Sequence, residues 1–241
     1  MIENMLLPEN LRFSFAVLWC VVGFGIYYFL SHSSKCSRMV GSICKILDQQ
    51  GNQVALQRMW GLLFLGLFSA LIIMAIPNTN LKAYGLSFQF LAAPPWWTWL
   101  LLPLILIMSR FAARKTSNLE QYPQIRAKQW NSSMIAVSAI SWLLFLVGYE
   151  FLFRGFLLHA SLGVMGAGPA IALNSAIFGF AHFYKGPGET FGAIPVGILL
   201  CYLTLVTGNI WCAVLIHSVM ALSNEWFSLH FHPEMEIIKA R

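Results

Sequence analysis

Long apolar stretches separated by short polar ones dominate the hydropathy pattern of the chain. About seven of them approach the roughly 20 residues that an α-helix needs to cross a bilayer. They lie near residues 11–31, 57–77, 96–111, 132–160, 167–184, 190–207 and 209–230. The pattern predicts an all-α, polytopic bundle of about seven to eight transmembrane helices, forming a single membrane domain over residues 1–241.

The third stretch is the weakest of the seven. A Pro-Pro break and three tryptophans (Trp96, Trp97 and Trp99) stand before it, an arrangement that suits an interface anchor followed by a short span. Residues 81–95 leave room for one further short or re-entrant segment. Charged loops are predicted at 32–56 and 112–131.

Composition supports a multi-pass membrane protein. Hydrophobic residues make up 58% of the chain and charged residues 10%, and the mean hydropathy is +0.68. A soluble fold with so few charges could not cover its surface. The first ten residues, with Glu3 and Glu9 but no basic residue, do not resemble a cleaved signal peptide, so we expect this segment to remain on the mature chain.

The net charge of +6 indicates an orientation in the membrane. With seven spans, most basic residues fall on one side: in 32–58, in 110–128, at Lys185 and in the C-terminal tail. The positive-inside rule then predicts an external N-terminus and a cytoplasmic C-terminus in a cell membrane, which we expect to be a bacterial inner membrane. Contact with anionic lipid fits this charge, whereas the basic residues show no nucleic-acid-binding pattern.

The five cysteines predict no redox or metal chemistry. Cys20, Cys201 and Cys212 fall in spans, where they act as small apolar residues. Cys36 and Cys44 fall in a predicted cytoplasmic loop, where no CxxC pair occurs and a disulfide is not expected.

Ionisable residues within the predicted spans are the candidates for function. A charge at the centre of a bilayer costs about 2.5–3.5 kcal/mol on insertion scales, so such residues tend to face a protein interior. The candidates are Glu150 and Arg154 in span four, Asn174, His182 and the adjoining Glu189 around span five, and His217, Asn224 and Glu225 in span seven.

Helix geometry predicts that three of these residues meet. Spans four and five form a hairpin that turns near residue 165, with Glu150 about 15 residues before the turn and His182 about 17 after it. At 1.5 Å per residue their depths differ by roughly 3 Å. His217, about nine residues into its own span, lies near enough in depth to join them.

The predicted pocket holds one acid, one permanent cation and two imidazoles. Glu150 could take a proton from water while Arg154 keeps it ionised. The two histidines could polarise a carbonyl and stabilise an oxyanion, or they could bind a metal such as zinc together with Glu150. These arrangements favour hydrolysis of a peptide bond within the bilayer.

Three ordered motifs carry a family resemblance. The stretches YEFLFRG, FGFAH at 178–182 and GNIWCAVLIHSVMA at 208–221 resemble the Glu-Glu-x-x-x-Arg, Phe-x-x-x-His and His-x-x-x-Asn/Asp motifs of the CPBP family, the CAAX-processing and bacteriocin-processing intramembrane endopeptidases. The resemblance covers residues 145–225 as catalytic core motifs. It implies a polytopic glutamate-dependent protease without a required cofactor, and catalytic roles for Glu150, Arg154, His182 and His217, with Phe178 matched in support.

Two positions depart from the family pattern. Tyr149 occupies the first acidic position, and Ala221 occupies the asparagine position. Either Glu150 acts as the base, with Glu189 or Asn224 as a supporting group, or proteolysis has been lost. We favour the first alternative, because a lysine and a glutamate follow His182 in HFYKGPGET, as in one branch of the family.

Other interpretations stay open at this point. Glu150 and Arg154 could be a buried ion pair that only fixes helix packing, and each histidine could only join helices by hydrogen bonds. A non-proteolytic relative that binds a membrane partner, for example in immunity or regulation, and a proton-coupled transporter are further alternatives. For a protease, the substrate would be a membrane-embedded or lipid-anchored protein or peptide: a prenylated protein, a bacteriocin leader, a signal-peptide remnant or a surface-protein anchor.

Overall fold

The structure, a computed structural model, describes residues 8–33 and 49–238. Seven apolar helices account for most of these residues: α1 (Pro8–Ser31), α2 (Gln50–Ala75), α3 (Thr98–Ala112), α4 (Ser132–Met165), α5 (Ala167–Phe180), α6 (Pro187–Thr207) and α7 (Trp211–Phe231). Shorter elements are the 3₁₀ turns Leu81–Tyr84 and Phe183–Lys185, the one-turn helix Thr116–Leu119, and strands β1 (Gln129–Trp130) and β2 (Glu236–Ile237).

The predicted all-α membrane fold is confirmed. Five of the seven helices (α1, α2, α4, α6 and α7) are long and apolar enough to cross a bilayer, whereas α3 and α5 are shorter, at 15 and 14 residues. The chain is therefore a multi-pass membrane protein. Residues 81–95 contain a single 3₁₀ turn and no further span.

The described residues divide into two compact units. The first comprises the described residues within 1–25, together with 63–94 and 148–214. Its core includes Leu158, Ala170 and Cys201, all fully buried, which places α5 and α6 against the second half of α4. Cys20 and Cys212 are also buried free thiols, as predicted for small apolar residues.

A single glycine connects α4 to α5 within the first unit. Gly166 has φ 74° and ψ 177°, a region of backbone space that is open almost only to glycine. Its amide still donates the last helical hydrogen bond to the carbonyl of Leu162, and its positive φ then ends α4. The hairpin predicted near residue 165 is therefore confirmed, and its turn is one residue long.

The second unit comprises the described residues within 26–62, 95–147 and 215–241. Its core contains part of the connection between α3 and α4, which the sequence suggests is an ordinary charged loop. Ile125 and Trp130 are fully buried and pack with Val54, Met134 and Leu229. Residues 121–130 are thus a folded-in loop, held partly because β1 and β2 pair in parallel, Gln129 with Glu236 and Trp130 with Ile237.

The end of α7 also contacts this loop. Arg126 Nη2 lies 3.2 Å from Nε2 of His232, the residue after the helix. Burial and, next, the charge of Arg126 lower the pKa of His232, against the opposing effect of Glu234. The neutral imidazole is therefore the form that the fold favours.

The structure tests only one of the two predictions made for the first cytoplasmic loop. Arg58, assigned to that loop, lies on α2 with 3% of its surface exposed, so that assignment is wrong. Cys36 and Cys44 lie outside the described residues.

Candidate active site

Glu150 and Arg154 form a fully buried ion pair on α4. Arg154 Nε lies 3.2 Å from Glu150 Oε2, and both side chains have no exposed surface. The approach is close enough for an ion pair but is not aligned as a hydrogen bond. The predicted proximity of these two residues on one helix is therefore confirmed.

The helix is not regular at this pair. Residues Phe151–Leu157 form a π-helical turn, and all seven are buried. Side chains satisfy its carbonyl groups: Asn174 Nδ2 donates to Phe153 O at 2.6 Å, and His159 Nδ1 lies 2.9 Å from the oxygen of Arg154. Non-helical backbone at membrane depth needs such partners, so Asn174 and His159 stabilise the turn that carries Arg154.

His159 is not among the candidate residues that the sequence indicates. It is half-buried, and its ring also lies 6.1 Å from that of Tyr84. Sequence analysis missed this role, although a polar residue one turn beyond a buried arginine was an available signal.

The Arg154 guanidinium links the first motif to the second. Its Cζ lies 4.0 Å from the ring centroid of Phe178 and 5.7 Å from that of Phe153. Stacking on an aromatic face compensates part of the cost of burying the cation. Neither Nη atom has a hydrogen-bond partner among the described residues, so these buried N–H donors remain available to an acceptor.

The His182 ring contacts Phe178, with 4.8 Å between the ring centroids. The helix α5 ends at Phe180, so His182 stands in the following turn and not within the span as predicted. Its Nδ1 is 2.8 Å from the carbonyl oxygen of Phe178. Because a carbonyl only accepts, Nδ1 carries the hydrogen and Nε2 is the basic nitrogen.

Tyr149, at the position of the first family glutamate, lies next to His182. Its ring centroid is 6.1 Å from that of His182 and 5.7 Å from that of Phe178. It also interacts electrostatically with Glu150 and Lys185. Tyr149 and Phe178 thus lie near His182, and Phe178 also contacts Arg154. The approach of His182 to Glu150 itself remains a prediction.

Glu189, which adjoins span five in the sequence, belongs to the next helix. It lies in the first turn of α6, where an acid is favoured by the helix dipole. Its Oε2 is 3.2 Å from Lys185 Nζ, and its side chain is 33% exposed. The supporting role proposed for Glu189 remains a prediction.

The two family positions of the third motif, His217 and Ala221, lie in the second unit. His217 is half-buried on α7, and its approach to Glu150 and His182 remains a prediction. Ala221 packs against Tyr122, Trp142 and Leu146. Asn224 is half-buried, and its Oδ1 has no hydrogen-bond partner among the described residues.

Glu225, a candidate in span seven, has its own partner in the second unit. It is fully buried, six residues before the end of α7, and its Oε1 lies 3.3 Å from Arg58 Nη2. The two residues are 167 positions apart, so no local sequence pattern could have paired them.

A metal centre was the alternative to a glutamate base. A hydrolytic zinc site requires three protein ligands. Across residues 8–33 and 49–238, no group of three or more histidine, cysteine, aspartate or glutamate side chains is arranged to hold a metal ion. We therefore derive no step through a metal, and the prediction that no cofactor is needed remains untested.

A protein-family model matches part of the chain. Residues 124–223 match a family described as type II CAAX prenyl endopeptidase Rce1-like. The matched stretch contains Tyr149, Glu150, Arg154, Phe178, His182, His217 and Ala221, and it ends before Asn224 and Glu225. No curated protein and no solved structure matches the chain. The family match confirms the resemblance that the three motifs predict.

Proposed function

We propose that the chain, whose residues 124–223 match the type II CAAX prenyl endopeptidase Rce1-like family, hydrolyses a peptide bond of a membrane-associated protein or peptide by glutamate-activated water. The observation that supports this most is the buried Glu150–Arg154 pair, whose guanidinium stacks on Phe178, the ring that also contacts His182.

Glu150 is the proposed general base. Its carboxylate is fully buried and lies 3.2 Å from the Arg154 guanidinium, which fixes its position, and a positioned carboxylate can accept a proton from water. Glu150 takes a proton from water as the water oxygen attacks the scissile carbonyl carbon. The same proton then reaches the nitrogen of the departing amine as the C–N bond breaks.

The remaining groups act on the substrate and the water. His182 and His217 are proposed to hold the water or to stabilise the oxyanion. Nε2 of His182 can accept a hydrogen bond from the water, and once it is protonated it can donate one to the oxyanion. Arg154 fixes Glu150, and its Nη groups can donate to a substrate carbonyl. Tyr149 supplies a hydroxyl group where the family carries its first glutamate.

A peptidase assay in proteoliposomes tests this proposal. A farnesylated fluorogenic CAAX peptide is the first probe, and mass spectrometry of protein N-termini in membranes with and without the chain covers other substrates. Glu150→Gln should lower kcat by about 10² to 10⁴, the range expected for loss of a general base. Glu120→Gln, an exposed acid on the connection between α3 and α4, should leave the rate unchanged.

The variants also distinguish other assignments. Glu150→Asp keeps the charge and serves if Glu150→Gln fails to fold. If Glu189→Gln loses activity and Glu150→Gln keeps it, the base is Glu189. If the wild type cleaves neither the peptide nor any membrane protein, proteolysis is rejected, and the tyrosine at position 149 then favours a partner-binding relative.

A further inference from the structure

A second buried ion pair lies outside the family match, in the second unit. Arg58 on α2 and Glu225 on α7 are 3% and 0% exposed, and Nη2 of the arginine lies 3.3 Å from Oε1 of the glutamate. Charges at such depth are costly unless they are paired and hydrogen-bonded, and they tend to be functional. The proposed mechanism does not use this pair.

Hydrogen bonds satisfy most of the pair. Arg58 Nη1 donates to the carbonyl and hydroxyl of Ser138, at 2.9 and 3.2 Å, and to Ser141 Oγ at 3.0 Å. Nη2 donates to Gln124 Oε1 at 3.1 Å, and Glu225 Oε2 accepts from the amide of Gln124 at 3.2 Å. The guanidinium also lies 4.2 Å from the centroid of the Trp142 ring. The pair thus ties α2, α4, α7 and the folded-in loop together.

These contacts lie on the same side of α7 as His217. His217, Ala221 and Glu225 are spaced at i, i+4 and i+8, so they follow one another along the helix with a drift of about 40° per step. Ala221 packs on the cluster that contains Trp142, and the Arg58 guanidinium stacks on the ring of Trp142. The two turns after His217 are therefore fixed by one connected set of contacts.

We propose that Arg58 and Glu225 are positioning residues that fix the rotation of α7 about its axis and thereby aim His217. This inference rests on the proposed function. A slip of α7 by one residue would turn His217 by about 100°, which is enough to remove it from any site that it serves. Alanine at position 221, where the family has asparagine, fits this arrangement because a small apolar residue packs against Trp142.

A purely stabilising role predicts a different result from a positioning role. Replacing a buried ion pair by apolar residues of similar volume is often neutral or stabilising. The double variant Arg58→Met/Glu225→Leu should therefore remain folded. If the pair only stabilises, activity should also remain. If it positions His217, activity should fall while stability does not.

The experiment compares this double variant with Ser109→Ala/Ser223→Ala in proteoliposomes. The control removes a 2.8 Å hydrogen bond that also holds α7 but carries no charge. For Arg58→Met/Glu225→Leu we expect at least a tenfold lower kcat, a KM within twofold of wild type and an unchanged unfolding midpoint. The control should keep kcat within twofold. Retention of kcat by the folded double variant overturns the proposal.

A second measurement separates this inference from the proposed function. In protein labelled with ¹³C and ¹⁵N at histidine, the His217 imidazole signal, assigned from its loss in His217→Gln, reports the ring environment without any substrate. It should shift in Arg58→Met/Glu225→Leu and stay in place in the control. If the wild type is inactive but the His217 signal shifts in the double variant, only the proposed proteolysis is rejected. If the signal does not move in the double variant, the positioning role is rejected. If the double variant does not fold, the same measurements are made on Gln124→Met. This variant removes the side-chain oxygen that accepts from Arg58 but keeps the ion pair.

Discussion

Arg58 and Arg154 are both buried in a membrane protein, yet their guanidinium groups have different surroundings. Arg58 donates to a serine carbonyl, to hydroxyl groups and to an amide oxygen, in addition to Glu225. Arg154 has Glu150 and the face of Phe178, with both Nη atoms left open among the described residues. An arginine whose N–H donors nearly all have acceptors suits a fixed structural position. An arginine with N–H donors that have no acceptor suits the binding of a ligand.

The stacking of Arg154 on Phe178 should be measurable as a coupling energy. A double-mutant cycle of Arg154→Lys with Phe178→Leu should give about 1–2 kcal/mol of coupling in unfolding free energy, because lysine keeps the charge but not the planar group. The matched cycle with Phe153→Leu should give less, since that ring is 5.7 Å from Cζ against 4.0 Å for Phe178. Equal couplings in the two cycles would contradict the stacking.

Sequence reasoning at this scale succeeded where neighbours are local. The pairing of Glu150 with Arg154 follows from helix spacing. Partners distant in sequence have no such periodicity. Arg58 was therefore assigned to a loop, and Glu225 was given no partner.

At the scale of elements, the connection between α4 and α5 depends on backbone freedom at one residue. Gly166 has φ 74° and ψ 177°, and a Cβ atom built there would meet nothing within 4 Å. Any cost of a larger residue at this position therefore comes from the backbone itself. The depth of His182 relative to Glu150 depends on this turn, because it fixes where α5 begins.

Alanine substitutions at two glycines test this role. Gly166→Ala should destabilise the protein by about 1–3 kcal/mol, the cost of holding a residue with a Cβ in this region. Gly192→Ala is the control, because it also has open space but lies inside α6, where alanine should stabilise by about 0.5–1 kcal/mol. Unfolding of the purified proteins in detergent measures both. A neutral Gly166→Ala would show that the turn tolerates other conformations.

The helices themselves were predictable, because runs of apolar residues long enough to span a membrane have few other uses. The π-helical turn at Phe151–Leu157 was not predictable. Its seven residues are as apolar as an ordinary span apart from Arg154, and the side chain that caps its Phe153 carbonyl, Asn174, comes from α5. The folded-in loop at 121–130 escaped prediction for a similar reason: its polar residues resemble those of an exposed connection.

At the scale of the whole molecule, the shortest helices decide the topology. The 15 residues of α3 rise about 22 Å, against about 30 Å for the hydrocarbon core. If α3 does not cross, every later segment changes sides. The distribution of basic residues predicts that it does cross, with the connection before it outside and the connection after it in the cytoplasm.

Cysteine labelling in intact cells tests this topology. In a cysteine-free background, a membrane-impermeant maleimide should label Asn78→Cys from outside, and it should label Ser117→Cys and Glu234→Cys only after permeabilisation. All three positions are exposed, so accessibility within the protein does not limit the reaction. Labelling of Asn78→Cys and Ser117→Cys from the same side would show that α3 does not cross.

The π-helical turn also bears on the alignment of relatives. A turn with i→i+5 hydrogen bonds holds about one residue more than an α-helical turn over the same length. A homologue whose helix stays regular would carry one residue fewer between Glu150 and the glycine at the hairpin. Its alignment with this chain then requires a gap inside Phe151–Leu157. Without that gap, half of the helix is compared out of register, and an arginine equivalent to Arg154 would be paired with a neighbour of the wrong kind.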